Sequence, residues 1–136
     1  MDIENRWTES SMYGDRSRLP YLRGDVRKAI SDEFDIDGNT VQFITPTLFN
    51  FTVCSLEFWR MWDTDIVIYD PFSNVIHLNT DGWETSTTYR YMNDILCGLP
   101  CGMQIVRSKK EWGVNTSFGE VKFHDDMAIS TLMPQT

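Results

Sequence analysis

Long apolar runs are missing from this chain. None of its 136 residues belongs to a hydrophobic stretch near the roughly 20 residues that a membrane-spanning helix needs, so no membrane contact is expected. The opening MDIENRWTESSMYGDR is polar and acidic, unlike a secretion signal, and predicts a cytoplasmic protein. Cysteine is scarce: Cys54, Cys97 and Cys101 are too few and too unevenly spaced for the disulfide framework of a secreted domain. Without export, the sequons at Asn50 and Asn115 are coincidences, and the tripeptide Arg23-Gly24-Asp25 is too common to carry weight. There is no glycine-rich phosphate loop and no G-x-S-x-G elbow.

Basic residues are nearly absent from one long region in particular. Residues 1–28 carry six Arg/Lys against five Asp/Glu. Residues 29–85 carry Arg60 alone against Asp32, Glu33, Asp35, Asp37, Glu57, Asp63, Asp65, Asp70, Asp81 and Glu84, a balance of −9. Residues 86–136 balance at five of each sign, giving the net charge of −8. Such a field repels phosphates and attracts basic protein surfaces, besides aiding solubility.

The chain is 41% apolar and 13% aromatic, enough for an ordered core in a single domain. Residues 1–17 show no sustained periodicity and are expected to form a mobile arm, with residues 18–136 as one α+β domain. Leu22, Val26, Ala29, Ile30 and Phe34 follow helical spacing and predict a helix over 19–34. The turn at 35–39 has the flavour of a calcium loop, but Glu33 would be its first ligand and Ile44 its twelfth, so a calcium site is rejected. Strands are predicted at 40–45, 49–58, 65–70, 75–80, 103–108, 111–116 and 120–123 from β-branched and aromatic content. The 65–70 and 75–80 segments form a hairpin around Pro71 and Asn74. Tyr89, Met92, Leu96 and Leu99 make one apolar stripe on a second helix over 86–97, which Gly98 and Pro100 stop. The expected architecture is an antiparallel sheet of about five to seven strands with this central helix packed on it.

Between the hairpin and the second helix runs LNTDGWETSTTYRYMN, residues 78–93. Thr85 or Ser86 can cap the helix, and Trp83 can pack over its entrance. The same amides and hydroxyls could instead hold an anion with Arg90 nearby, although Glu84 already places negative charge there. Asn93 is a poor helix former in mid-helix, so its amide is expected to bond a neighbouring strand or loop. This stretch resembles a segment, LN[TS]xGWxTxTTxxxMN, of uncharacterised small proteins of tailed phages and other mobile elements. The likeness runs through Thr64-Asp65-Ile66-Val67, Leu78-Asn79-Thr80, Gly82-Trp83, Thr85, Thr87-Thr88, Met92-Asn93, Glu111-Trp112, Gly119-Glu120 and Asp126-Met127. It covers residues 64–129 and implies a phage-type origin without a known activity. Asp81 stands where that segment has glycine, and Tyr89 and Tyr91 stand where it has Lys and Arg.

Dedicated chemistry is thinly represented. A zinc site would have to gather Cys54, His77, Cys97, Cys101 and His124, of which only the Cys97–Cys101 spacing is suitable, so no metal and no cofactor are expected and the thiols are read as largely buried. A redox-sensitive Cys97–Cys101 pair stays open. His124, followed by Asp125-Asp126, fits no recognisable nucleophilic constellation, and no catalytic residue is assigned. Two binding surfaces are predicted. One is acidic, with Asp63, Asp65, Asp70, Asp81 and Glu84 meeting a basic, nucleic-acid-handling host protein. The other would take a nucleotide or single-stranded nucleic acid on Trp83, Thr85, Thr87, Thr88, Arg90 and Asn93 with Arg107, Lys109, Lys110 and Trp112. The first is preferred, as a non-enzymatic host-takeover or anti-defence (anti-CRISPR-like) inhibitor. A small hydrolase is the third reading.

Overall fold

The computed structural model describes residues 23–108 and 111–131. The expected arm at 1–17, the first residues of the predicted 19–34 helix, and Lys109 and Lys110 lie outside the described residues. The chain divides into two units, Met1–Val53 and Cys54–Thr136. Its class is α+β with antiparallel strands, an N-terminal helix and a central helix.

In the first unit, helix α1 (Arg23–Phe34) buries Val26 and Ile30 one turn apart. Phe34 sets its ring 5.5 Å from that of Phe51. Arg27 donates from Nε and Nη2 to the Val41 carbonyl and lays its guanidinium over the Phe43 ring. The helix stops at Asp35, whose φ of 57° is left-handed. A 3-10 turn, Gly38–Thr40, follows, with the Asp37 carboxylate accepting from the Asn39 amide. Strands β1 (Gln42–Thr45) and β2 (Leu48–Val53) then pair as an antiparallel hairpin. The sequence predicts one strand over 49–58, but the chain bends at Cys54 and Ser55, both with positive φ, and a new strand begins at Leu56. Neither residue is a usual left-handed former, which is why the bend is invisible to turn chemistry.

The second unit carries two sheets. Strands β3 (Leu56–Met61), β4 (Thr64–Asp70) and β5 (Val75–Leu78) run antiparallel in chain order, and β9 (Met127–Ser130) adds beside β5. The strands β6 (Gln104–Ser108), β7 (Glu111–Thr116) and β8 (Gly119–Lys122) form a three-stranded sheet of their own. Helix α2 (Ser86–Cys97) packs against β4 and β6 and turns Thr88, Met92, Ile95 and Leu96 inward. Ile66, Val67, Ile76, Leu78, Met92, Ile105 and Val114 are wholly buried, each such side chain contributing about 1.5–3 kcal/mol of burial. His77 lies on the opposite, exposed face of β5 from Ile76 and Leu78, as the alternation requires.

The tryptophans divide. Trp59 and Trp112 are buried, Trp62 is half-buried, and Trp83 is 61% exposed. Trp83 therefore does not close the helix entrance as a staple residue would.

Candidate interaction surface

Three of the four hydroxyls that open α2, those of Thr85, Ser86 and Thr88, bond within the fold. Thr85 caps the helix, its Oγ1 accepting from the Thr88 amide at 3.2 Å and lying 3.1 Å from the Thr88 hydroxyl. Thr88 is fully buried and donates to the Met61 sulfur at 3.8 Å. Ser86 accepts from Arg107 at 3.4 Å, and the Arg107 guanidinium sits 4.1 Å over the Tyr89 ring. Asn93 makes the expected bonds: its Nδ2 donates to the Ile105 carbonyl and its Oδ1 accepts from the Ile105 amide, at 3.1 and 2.7 Å. Trp112 is buried against Tyr89 and Phe123, with both ring centroids 5.7 Å away. Trp112 is only 8% exposed, which leaves no open platform on which a base could stack. Trp83, Thr87 and Arg90 are exposed.

The turn before the helix is held from a distance by a residue that sequence reasoning did not single out. Asp125 Oδ1 accepts from the Thr80 amide at 2.7 Å and the Thr80 hydroxyl at 2.8 Å, and Oδ2 accepts from the Gly82 amide at 3.0 Å. Thr80 is completely buried, so its amide and hydroxyl need this acceptor. Asp81, where the phage-type segment has glycine, has φ 52°, and Gly82 has φ 83°. Both positions require the left-handed region that glycine enters without strain and Asp tolerates.

The predicted acids take different roles. Asp65 pairs with Arg60 through two oxygens, Nε to Oδ1 at 2.6 Å and Nη2 to Oδ2 at 3.1 Å. This uses the single base of residues 29–85. Asp70 accepts from the amides of Phe72 and Ser73 in its own turn. Its carboxyl is held below the usual range, chiefly by the Ser73 side chain and then by those amides and His77. Asp63 and Asp81 are exposed and meet Asp126 around an open groove of about 310 Å³ that Asp65, Ile68, His77, Leu78 and Asn79 also line. Glu84 is exposed but is not part of this lining. The groove thus gathers Asp63, Asp65 and Asp81 with Asp126, which sequence reasoning had set aside.

Among the described residues no group of three or more His, Cys, Asp or Glu is arranged to hold a metal ion. His124 turns its Nδ1 to the Asp125 carbonyl at 3.1 Å, while the Asp125 carboxylate serves Thr80 and Gly82. All three cysteines are free; Cys101 is buried, which pushes its thiol pKa up, whereas Cys54 and Cys97 are exposed, against the expectation of largely buried thiols. No helix among the described residues is long and apolar enough to cross a membrane. No protein-family model, curated protein or solved structure matches the chain.

Proposed function

We propose that this chain is a non-enzymatic, phage-type accessory protein that acts by protein–protein contact in the host cytoplasm. In this reading it inhibits a host or anti-phage system in an anti-CRISPR-like manner, covering the basic surface of a nucleic-acid-handling protein. The observation that carries it is the groove, whose lining includes the exposed Asp63, Asp81 and Asp126 together with Asp65. Carboxylates concentrated in this way steer a basic partner and compete with phosphates for it. Affinity capture from bacterial lysate with wild type and with an Asp63→Asn/Asp81→Asn/Asp126→Asn variant tests this. A basic nucleic-acid-binding protein retained by wild type, released by the variant and displaced by duplex DNA is the expected outcome. Equal retention by both proteins contradicts it.

A second reading keeps one observation of its own: Trp83 is 61% exposed at a helix start that also presents Thr87 and Arg90. A nucleotide or single-stranded nucleic acid could stack there. Titration of a fluorescent oligonucleotide at low salt separates the two, because the acidic-surface reading expects no binding.

A further inference from the structure

The three-stranded sheet has two edges, and the protein treats them differently. The β6 edge is closed where it meets α2, because the Asn93 amide takes both the N–H and the C=O of Ile105, as a neighbouring strand would. The β8 edge has no such cover among the described residues. All four of its residues, Gly119, Glu120, Val121 and Lys122, are exposed, and Val121 remains 41% exposed although it is apolar.

The direction of the open groups follows from the ladder. Phe123 donates its amide to the Trp112 carbonyl, across the β7–β8 pair. Alternation along an antiparallel strand then turns the peptide groups of Val121 toward β7 as well, and those of Glu120 and Lys122 away from it. The register agrees, with Val121 opposite Val114 and Lys122 opposite Gly113. Glu120 and Lys122 share one face of the strand, two residues apart, and Val121 takes the other.

We propose that β8 pairs antiparallel with β8 of a second copy of this chain, about a two-fold axis at Val121. This register is self-complementary in three ways. Glu120 faces Lys122 of the partner copy at both symmetry-related positions, so both charged pairs are of opposite sign. Those two positions are also the ones whose amides and carbonyls point outward, so each forms a hydrogen-bonded pair. Val121 meets its own copy at the intervening non-bonded position, where side chains approach most closely, and both apolar surfaces leave water. An isologous contact of this kind closes at two chains and does not propagate. Neither charged side chain has a strong competing partner in the described structure: the Lys122–Glu111 approach is 3.9 Å between two exposed groups. A four-residue strand gives a small interface, and each copy carries −8, so the dimer is weak.

Sedimentation equilibrium from about 10 μM to about 1 mM tests the pairing. The ionic strength is set at about 0.15 M, where a Debye length of about 8 Å screens the net repulsion. Wild type is expected to dimerise across this range. Glu120→Lys places lysine against lysine, and Lys122→Glu places glutamate against glutamate, so each variant alone should associate about tenfold more weakly or worse. An equimolar mixture of the two variants restores opposite charges at both positions and should recover the dimer, which also shows that both variants are folded. Wild type that stays monomeric throughout, or a dimer that ignores both substitutions, overturns the proposal. So does a mixture no more associated than its components.

Discussion

The segment that opens α2 and the groove beside β4 and β5 are both rich in polar side chains, yet they use them in opposite ways. Around the helix start, Thr85, Thr88, Asn93 and Thr80 direct their hydrogen-bonding groups inward, to the helix amides, to Met61, to Ile105 and to Asp125. Around the groove, Asp63, Asp81 and Asp126 present carboxylates at the exposed surface. Most of the hydroxyls at this helix start are therefore scaffold, with Thr87 the exposed exception, and the groove's charge faces outward. The distinction has energetic content. A buried donor without its acceptor costs about 1–3 kcal/mol, whereas an exposed charge removed from a surface shifts stability by about 0.5 kcal/mol or less.

The contrast can be broken at its scaffold side first. Asp125→Ala strands the buried Thr80 amide and hydroxyl and the Gly82 amide together, and chemical denaturation should show a loss of about 3 kcal/mol. Asn93→Leu keeps the helix but leaves both backbone groups of Ile105 unsatisfied, for an expected loss of about 2 kcal/mol by the same measurement. Thr85→Ala removes the α2 cap and should cost about 1 kcal/mol, visible in the urea midpoint with an unchanged m-value. The groove side sharpens the comparison. Asp63→Asn/Asp81→Asn/Asp126→Asn should leave the urea midpoint within about 0.5 kcal/mol of wild type, because amides keep the left-handed tolerance that Asp81 and Asp126 need.

The smallest expected effect is that of Asp70. Its pKa is lowered in the folded chain by the Ser73 side chain, the turn amides and His77. Its stabilising contribution is thus present above the carboxyl's unfolded pKa and disappears as pH falls through the depressed folded value. Asp70→Asn should flatten the acid limb of a stability–pH curve slightly; a curve that superimposes on wild type would contradict this.

How much of this was legible in the sequence differed by the range of the interactions involved. Helix 86–97 and the Gly98 stop are set within a few residues of one another, and the structure has both where the pattern predicts, with Thr85 taking the cap that Thr85 or Ser86 could have supplied. Asn93 was legible for a related reason: an amide in mid-helix implies a partner, although not which one. The bend at Cys54–Ser55 was not, because two residues that seldom enter the left-handed region both adopt positive φ there. Nor was Asp125, which reaches Thr80 across 45 residues with no local mark of its role. The acidic surface was legible as a charge balance but not as a place. Composition counts Asp65 and Asp70 with the rest, while the fold gives one to Arg60 and the other to its own turn and brings Asp126 in from far along the chain.

The central claim is that the groove carboxylates, and not the helix-start hydroxyls, make the contact with a basic partner. The most direct measurement is the association rate of a captured partner as a function of ionic strength, for wild type, for Asp63→Asn/Asp81→Asn/Asp126→Asn and for Thr87→Ala/Arg90→Ala. The account predicts a rate that falls steeply with salt for wild type and for the helix-start variant, and a slow, nearly salt-independent rate for the groove variant. A groove variant that retains the wild-type rate and salt slope would contradict it.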